Sequence, residues 1–130
     1  MKLIEEIKSL IKEANGTNDI SRLIEISLKI SGYLVTFTET EAGYFRDSKA
    51  AYHERKVFEA KATLSSASGI TKAETEAVRD SEPLRNKEMT TEYIYKTANS
   101  FRVQCNEFQQ ALRQKVSYLR RESENPNQHP

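Results

Sequence analysis

Apolar residues return at steps of three and four over most of this chain. Leu3, Ile4, Ile7, Leu10 and Ile11 mark one face of a short amphipathic helix over residues 2–14. Asn15-Gly16 supplies its stop, because Gly16 is free to adopt positive φ. Thr17, Asn18 or Asp19 then caps the next helix by accepting a bond from an otherwise unpartnered amide.

Residues 20–37 carry two signals. Leu23, Ile24, Ser27, Leu28, Ser31, Leu34 and Val35 share a helical face. Ile24, Ile26, Leu28 and Ile30 also alternate ahead of Ser31-Gly32, as a strand and hairpin would. The helix is the favoured reading, since the helical period continues past Gly32 through Phe45 and Tyr52. Ile26, Ile30, Tyr33 and Phe37 then form a second apolar stripe. A helix that is apolar on two sides needs cover on both, which in so short a chain points to packing between subunits.

The helix is expected to run on to about residue 64, with Gly69 as its stop. Thr71-Lys72-Ala73-Glu74 has the spacing of a capping box, opening a short helix or the next long one. Pro83 fits a restart in a first turn. In the last helix Ile94, Ala98, Phe101, Cys105, Phe108 and Leu112 follow steps of 4, 3, 4, 3 and 4. This is a heptad seam, shifted later to Val116 and Leu119, that pairs with the preceding long helix or with a copy of itself. The expected architecture is all-α: a long antiparallel helical hairpin with a short N-terminal helix, oligomerising. One helical domain is expected over residues 1–123, followed by a flexible polar tail over 124–130.

Composition agrees. The 130 residues suit one domain, and 30% charged content suits long helices with wet outer faces. Four glycines and three prolines are few for an all-β domain. A single cysteine, Cys105, fits a reducing compartment. The N-terminal segment has charged residues among its apolar ones, and no apolar run reaches the length of a membrane span. The expectation is a soluble protein of the cytoplasm, without a membrane partner.

The net charge of +1 hides an uneven distribution. Residues 46–61 carry five bases and three acids, and residues 83–123 eight bases and four acids. Residues 71–82, between them, carry two bases and four acids. The two long helices are therefore basic, and a basic surface attracts anions at short range.

Catalytic chemistry is missing from the pattern. The two histidines, His53 and His129, are far apart in sequence, and Cys105 falls on the apolar seam. Glu39 and Glu41 could hold a cation, but fit a solvated helix face better. There is no phosphate-cradling glycine loop. No enzymatic step, cofactor or metal is expected.

The bases remain. Arg46, Lys49, His53 and Lys56 fall within about 80° on a helix, and Arg102, Arg113 and Arg120 within about 20°, with Gln109 between them. Such rows contact successive phosphates without reading sequence. From charge alone they are better read as ordinary solvated faces, paired to Glu54, Glu59 or Glu107. Tyr52, Tyr93, Tyr95 and Tyr118 are available to stack on bases or to fill the core.

Lys61, Ala62, Leu64, Ser68 and Gly69 spell Lys-Ala-x-Leu-x-x-x-Ser-Gly at the end of the first long helix. This segment resembles the UvsY-type recombination mediator proteins of large tailed phages, and the order of the helices over residues 23–119 is similar. Thr63 stands where that family has a second base, and Ser66 and Ala67 where it has aromatics, so only Lys61 carries over as a contact. The resemblance implies an all-helical ring-like oligomer that binds single-stranded DNA. It also implies partners: a recombinase, and the single-strand-binding protein that coats the strand.

The expected function is thus a non-enzymatic, single-stranded-DNA-binding recombination accessory of phage type, acting in the host cytoplasm. Lys49, Lys56, Lys61, Arg102, Arg113 and Arg120 are its candidate contacts. The alternative is a helical phage assembly chaperone or host-factor-binding protein without nucleic-acid binding.

Overall fold

A computed structural model describes residues 2–65 and 70–124. The described residues form four helices and no strand: α1 (Lys2–Asn15), α2 (Ile20–Ser65), α3 (Ile70–Asp80) and α4 (Glu82–Glu124). The fold class is all-α, and residues 24–37 are helical within α2. The stop expected at Gly69, the motif residues Ser68 and Gly69, and the tail beyond residue 124 lie outside the described residues.

Local chemistry sets the helix ends. The amide of Gly16 donates to Glu13 O at 3.0 Å, closing α1. Of the three capping candidates before α2, Asp19 does the work. Its Oδ1 accepts from the amides of Ser21 at 3.1 Å and Arg22 at 3.4 Å, and its carbonyl accepts from Leu23 N at 2.9 Å. A single residue, Ser81, joins α3 to α4. Its amide donates to Ala77 O, and its carbonyl accepts from Arg85 N. Pro83 falls in the first turn of α4, where its missing N–H costs nothing.

The chain divides into two compact units, to both of which α2 and α4 contribute. The first holds residues 1–39 and 100–130. Its core is apolar: Ile7 and Ala14 of α1, Leu23, Ile26, Ile30 and Leu34 of α2, and Cys105 and Leu112 of α4. Burying such a branched side chain contributes about 1.5–3 kcal/mol. Phe37 is also fully buried, with its ring edge-on to Phe101 at 5.4 Å between centroids. Here α2 and α4 run antiparallel, since Ser27 meets Gln109 whereas Phe37 meets Phe101.

The two-sided apolar character of α2 is met in part within this unit. Ile7, Ala14, Leu3, Leu10 and Ile11 of α1 and the seam of α4 pack into the same cluster. The chain itself thus covers the stripe of Ile26, Ile30 and Phe37, while Leu28 and Val35 of the other stripe stay 70% and 68% exposed. Arg22 is bound to Glu13 of α1 and to Glu25, which raises its already high pKa further. At the same C-terminal end of α1, Lys115 Nζ donates to Ala14 O at 3.1 Å and to Thr17 O, just beyond the helix, at 2.8 Å. That ammonium meets carbonyls that a helix C-terminus leaves without partners.

The second unit holds residues 40–99. Among its described residues the buried side chains are small or polar: Ala51, Ala77, Ala98, Ser81 and Glu41. An ion-pair network links its described helices. Arg55 bridges Glu88 and Glu59, and Arg85 Nη2 reaches Glu59 Oε1 at 2.7 Å. The Ser81 hydroxyl donates to the same carboxylate oxygen at 2.8 Å. Burial works against the charge on Glu59. Ser81, Arg85 and Arg55 outweigh it and hold the carboxyl below its usual range. Glu41 departs from the solvated face expected for it: it is 6% exposed and accepts from Asn99 Nδ2 at 3.2 Å. Ile94, read as part of the seam, is 40% exposed, because small residues and ion pairs build this interior.

Candidate nucleic-acid interface

Large apolar side chains that the second unit does not bury lie on its surface. Phe45 is 43% exposed and Tyr52 47%, and both belong to α2. Lys49 and Lys56 alternate with them. Positions 45, 49, 52 and 56 follow steps of 4, 3 and 4, which places all four within about 60° on one helix face. Lys49 Nζ lies 5.4 Å from the centre of the Phe45 ring, and Lys56 Nζ 5.7 Å from that of Tyr52. Each ring steadies an ammonium over its negative face. The Phe45 ring is set in turn by Tyr95 of α4, edge-on at 5.2 Å.

This row joins two of the expected contacts, Lys49 and Lys56, to two half-exposed rings, with the Arg55 guanidinium also over Tyr52 at 5.4 Å. Tyr52 is a stacking candidate from the sequence; Phe45 is not, since it reads there as one more step of an apolar period. The signal that finds it is the interleaving of aromatic and basic residues along one stripe. Lys61 is exposed, on the same helix and in the same unit. Five residues beyond Lys56, it lies about 140° around the helix from it, on another face.

The three arginines lie in the first unit. Arg102 is half-buried and already engaged within the protein. Arg113 and Arg120 are exposed along a groove of about 350 Å³ between α2 and α4. Gln109 is not the solvent-facing member of their row. It is 4% exposed, with Nε2 donating to Ser27 O at 2.9 Å and to Ser31 Oγ at 3.0 Å.

Of the remaining titratable candidates among the described residues, Cys105 belongs to the first unit and His53 to the second. Cys105 is 1% exposed in the apolar core, and burial pushes its thiol up, away from the reactive thiolate. His53 is exposed beside the lysine row. No group of three metal-ligating side chains occurs among the described residues, and no described helix is long and apolar enough to cross a membrane. No protein-family model, curated protein or solved structure matches the chain.

Proposed function

We propose that this protein is a non-enzymatic, single-stranded-DNA-binding recombination accessory of the mediator kind, a self-associating antiparallel helical hairpin with a short N-terminal helix. The observation that carries the reading is the row Phe45, Lys49, Tyr52 and Lys56. Single strands without a preferred sequence are held by cations that follow the backbone and by rings on which bases stack. The row supplies both at helical spacing. Its lysines are about 10 Å apart along the helix axis, so each reaches a different phosphate.

The UvsY-type likeness supplies the setting. In it the protein holds the strand in the host cytoplasm and favours a recombinase over the single-strand-binding protein, with Lys61 as a further contact on another face of α2. Self-association draws on the second unit, where Leu64, Met89 and Tyr93 are 87%, 68% and 71% exposed. The same three side chains favour the second reading, a helical assembly chaperone or host-factor-binding protein that meets its partner through apolar contact alone.

Fluorescence anisotropy with labelled oligo-dT at two salt concentrations separates the two. The mediator reading expects binding at low salt whose log–log salt slope is about −0.7 per phosphate contacted. It also expects Lys49→Glu with Lys56→Glu to weaken that binding without loss of helicity. If the wild-type protein leaves oligo-dT free at tens of micromolar (an order-of-magnitude ceiling for a specific site), the mediator reading fails and the second leads.

A further inference from the structure

The geometry points to the groove between α2 and α4 of the first unit as a docking site for an acidic amphipathic helix of a partner protein. Its floor is aliphatic, made by Ile24 and Leu28 of α2 and Leu112 and Val116 of α4. Arg113 and Arg120 stand along it. A second hollow of about 290 Å³ shares Arg113 and lies toward Asn106 on α4; apart from Leu34 its lining is polar. Together the two extend about 21 Å along α4, the length of a helix of about 14 residues.

Charge selects the occupant. Neither Arg113 nor Arg120 forms an ion pair with any described residue, and no acidic side chain lines either hollow. Leu28, on the floor, is 70% exposed. A helix with apolar residues at i, i+3 and i+7 and acids beside them covers that floor and neutralises both arginines. The unit already contains three helices, and α1 takes no part in lining the groove. A fourth helix there completes a four-helix arrangement.

Other occupants match less well. A nucleic-acid strand would satisfy the arginines, but the lining contains no aromatic face for a base. A two-fold contact of groove on groove would bring together four arginines and no acid from the two linings. The proposal is independent of the lysine–aromatic row, which lies in the other unit.

The test uses the full chain and a labelled, alanine-based helical peptide of about 14 residues, with leucine at i, i+3 and i+7 and glutamate only at the positions flanking them. A peptide with lysine in place of glutamate is the control. Expected is saturable binding of the glutamate peptide and binding at least about tenfold weaker for the lysine peptide. Arg113→Glu with Arg120→Glu, and separately Leu28→Ser, should each weaken the glutamate peptide about tenfold while circular dichroism is unchanged. Lys49→Glu with Lys56→Glu should leave it as it was. The proposal is overturned if a normally helical protein fails to bind the glutamate peptide, or binds both peptides alike. It is also overturned if Leu28→Ser has no effect, since charge alone would then explain the binding. Displacement of the peptide by oligo-dT, with both ligands lost in the arginine variant, would assign the groove to nucleic acid.

Discussion

Ser27 and Gln109 exchange hydrogen bonds in both directions. Gln109 Nε2 donates to Ser27 O at 2.9 Å, and Ser27 Oγ donates to Gln109 Oε1 at 3.1 Å. A buried amide satisfied on both its oxygen and its nitrogen fixes the register of α2 against α4 more sharply than apolar packing does. Gln109→Leu is expected to lower stability by about 0.5–1.5 kcal/mol, because it removes three hydrogen bonds, whereas half-buried Ser27 and exposed Ser31 can turn to water. Thermal denaturation followed at 222 nm (the usual helix signal, about one band minimum) checks this, and an unchanged Tm would show that the pair is incidental.

Burial ranks the aromatic residues of the first unit. Phe37 is fully buried, so Phe37→Ala should cost about 3–5 kcal/mol through lost transfer energy and the cavity left behind. Phe108 is only half-buried at the edge of the core, and Phe108→Ala should cost distinctly less. Chemical denaturation of the two variants gives the order, and equal losses would contradict it.

Gly32 lies inside α2, and an added Cβ there meets nothing within 4 Å. Gly32→Ala should therefore stabilise the protein by about 0.5–1 kcal/mol by restricting the unfolded chain. A fall in Tm instead would mean that this face is already in contact with another molecule in solution.

For the lysine–aromatic row, Tyr52→Ala should weaken oligo-dT binding by about 1–3 kcal/mol, the worth of one stacked base. Cys105→Ala, in the core of the other unit, should leave that binding unchanged. Parallel anisotropy titrations decide between a stacking role for Tyr52 and a purely electrostatic site.

Glu59 gives the second unit a pH dependence. Its folded-state pKa is depressed, so its contribution is fully present above the unfolded value of about 4.3. It is lost as pH falls through the lower folded value. Glu59→Gln should flatten the decline of Tm with acidification below about pH 4.3, while reducing Tm at neutral pH. Differential scanning calorimetry across that range tests both parts.

The helices themselves are legible because their signals are local: the short apolar face of α1, the cap at Asp19 and the first-turn Pro83 all depend on near neighbours. The stretch around Ile24 and Ile26 is harder. Its alternation and its helical period coexist, and only length favours the helix. The seam is legible where Phe101 to Leu119 meet an apolar partner. It is misleading at Ile94, where the interior is made of alanines and ion pairs. Nothing near Glu41 in the sequence announces Asn99 as its partner, since buried polar pairs form between distant residues. The groove is hidden for a similar reason. Ile24 and Leu28 carry the same pattern as a core face, and their exposure depends on what fails to cover them.

The docking of α1 also bears on assembly. Only four residues, 16–19, connect α1 to α2, so α1 acts as an intramolecular ligand at an effective concentration of order millimolar. It outcompetes any free copy for the stripe formed by Ile26 and Ile30, and thereby uses up one valence of α2 within its own chain. Any association between copies is left to surfaces beyond the reach of α1, and its strength can be set there without competing against the fold.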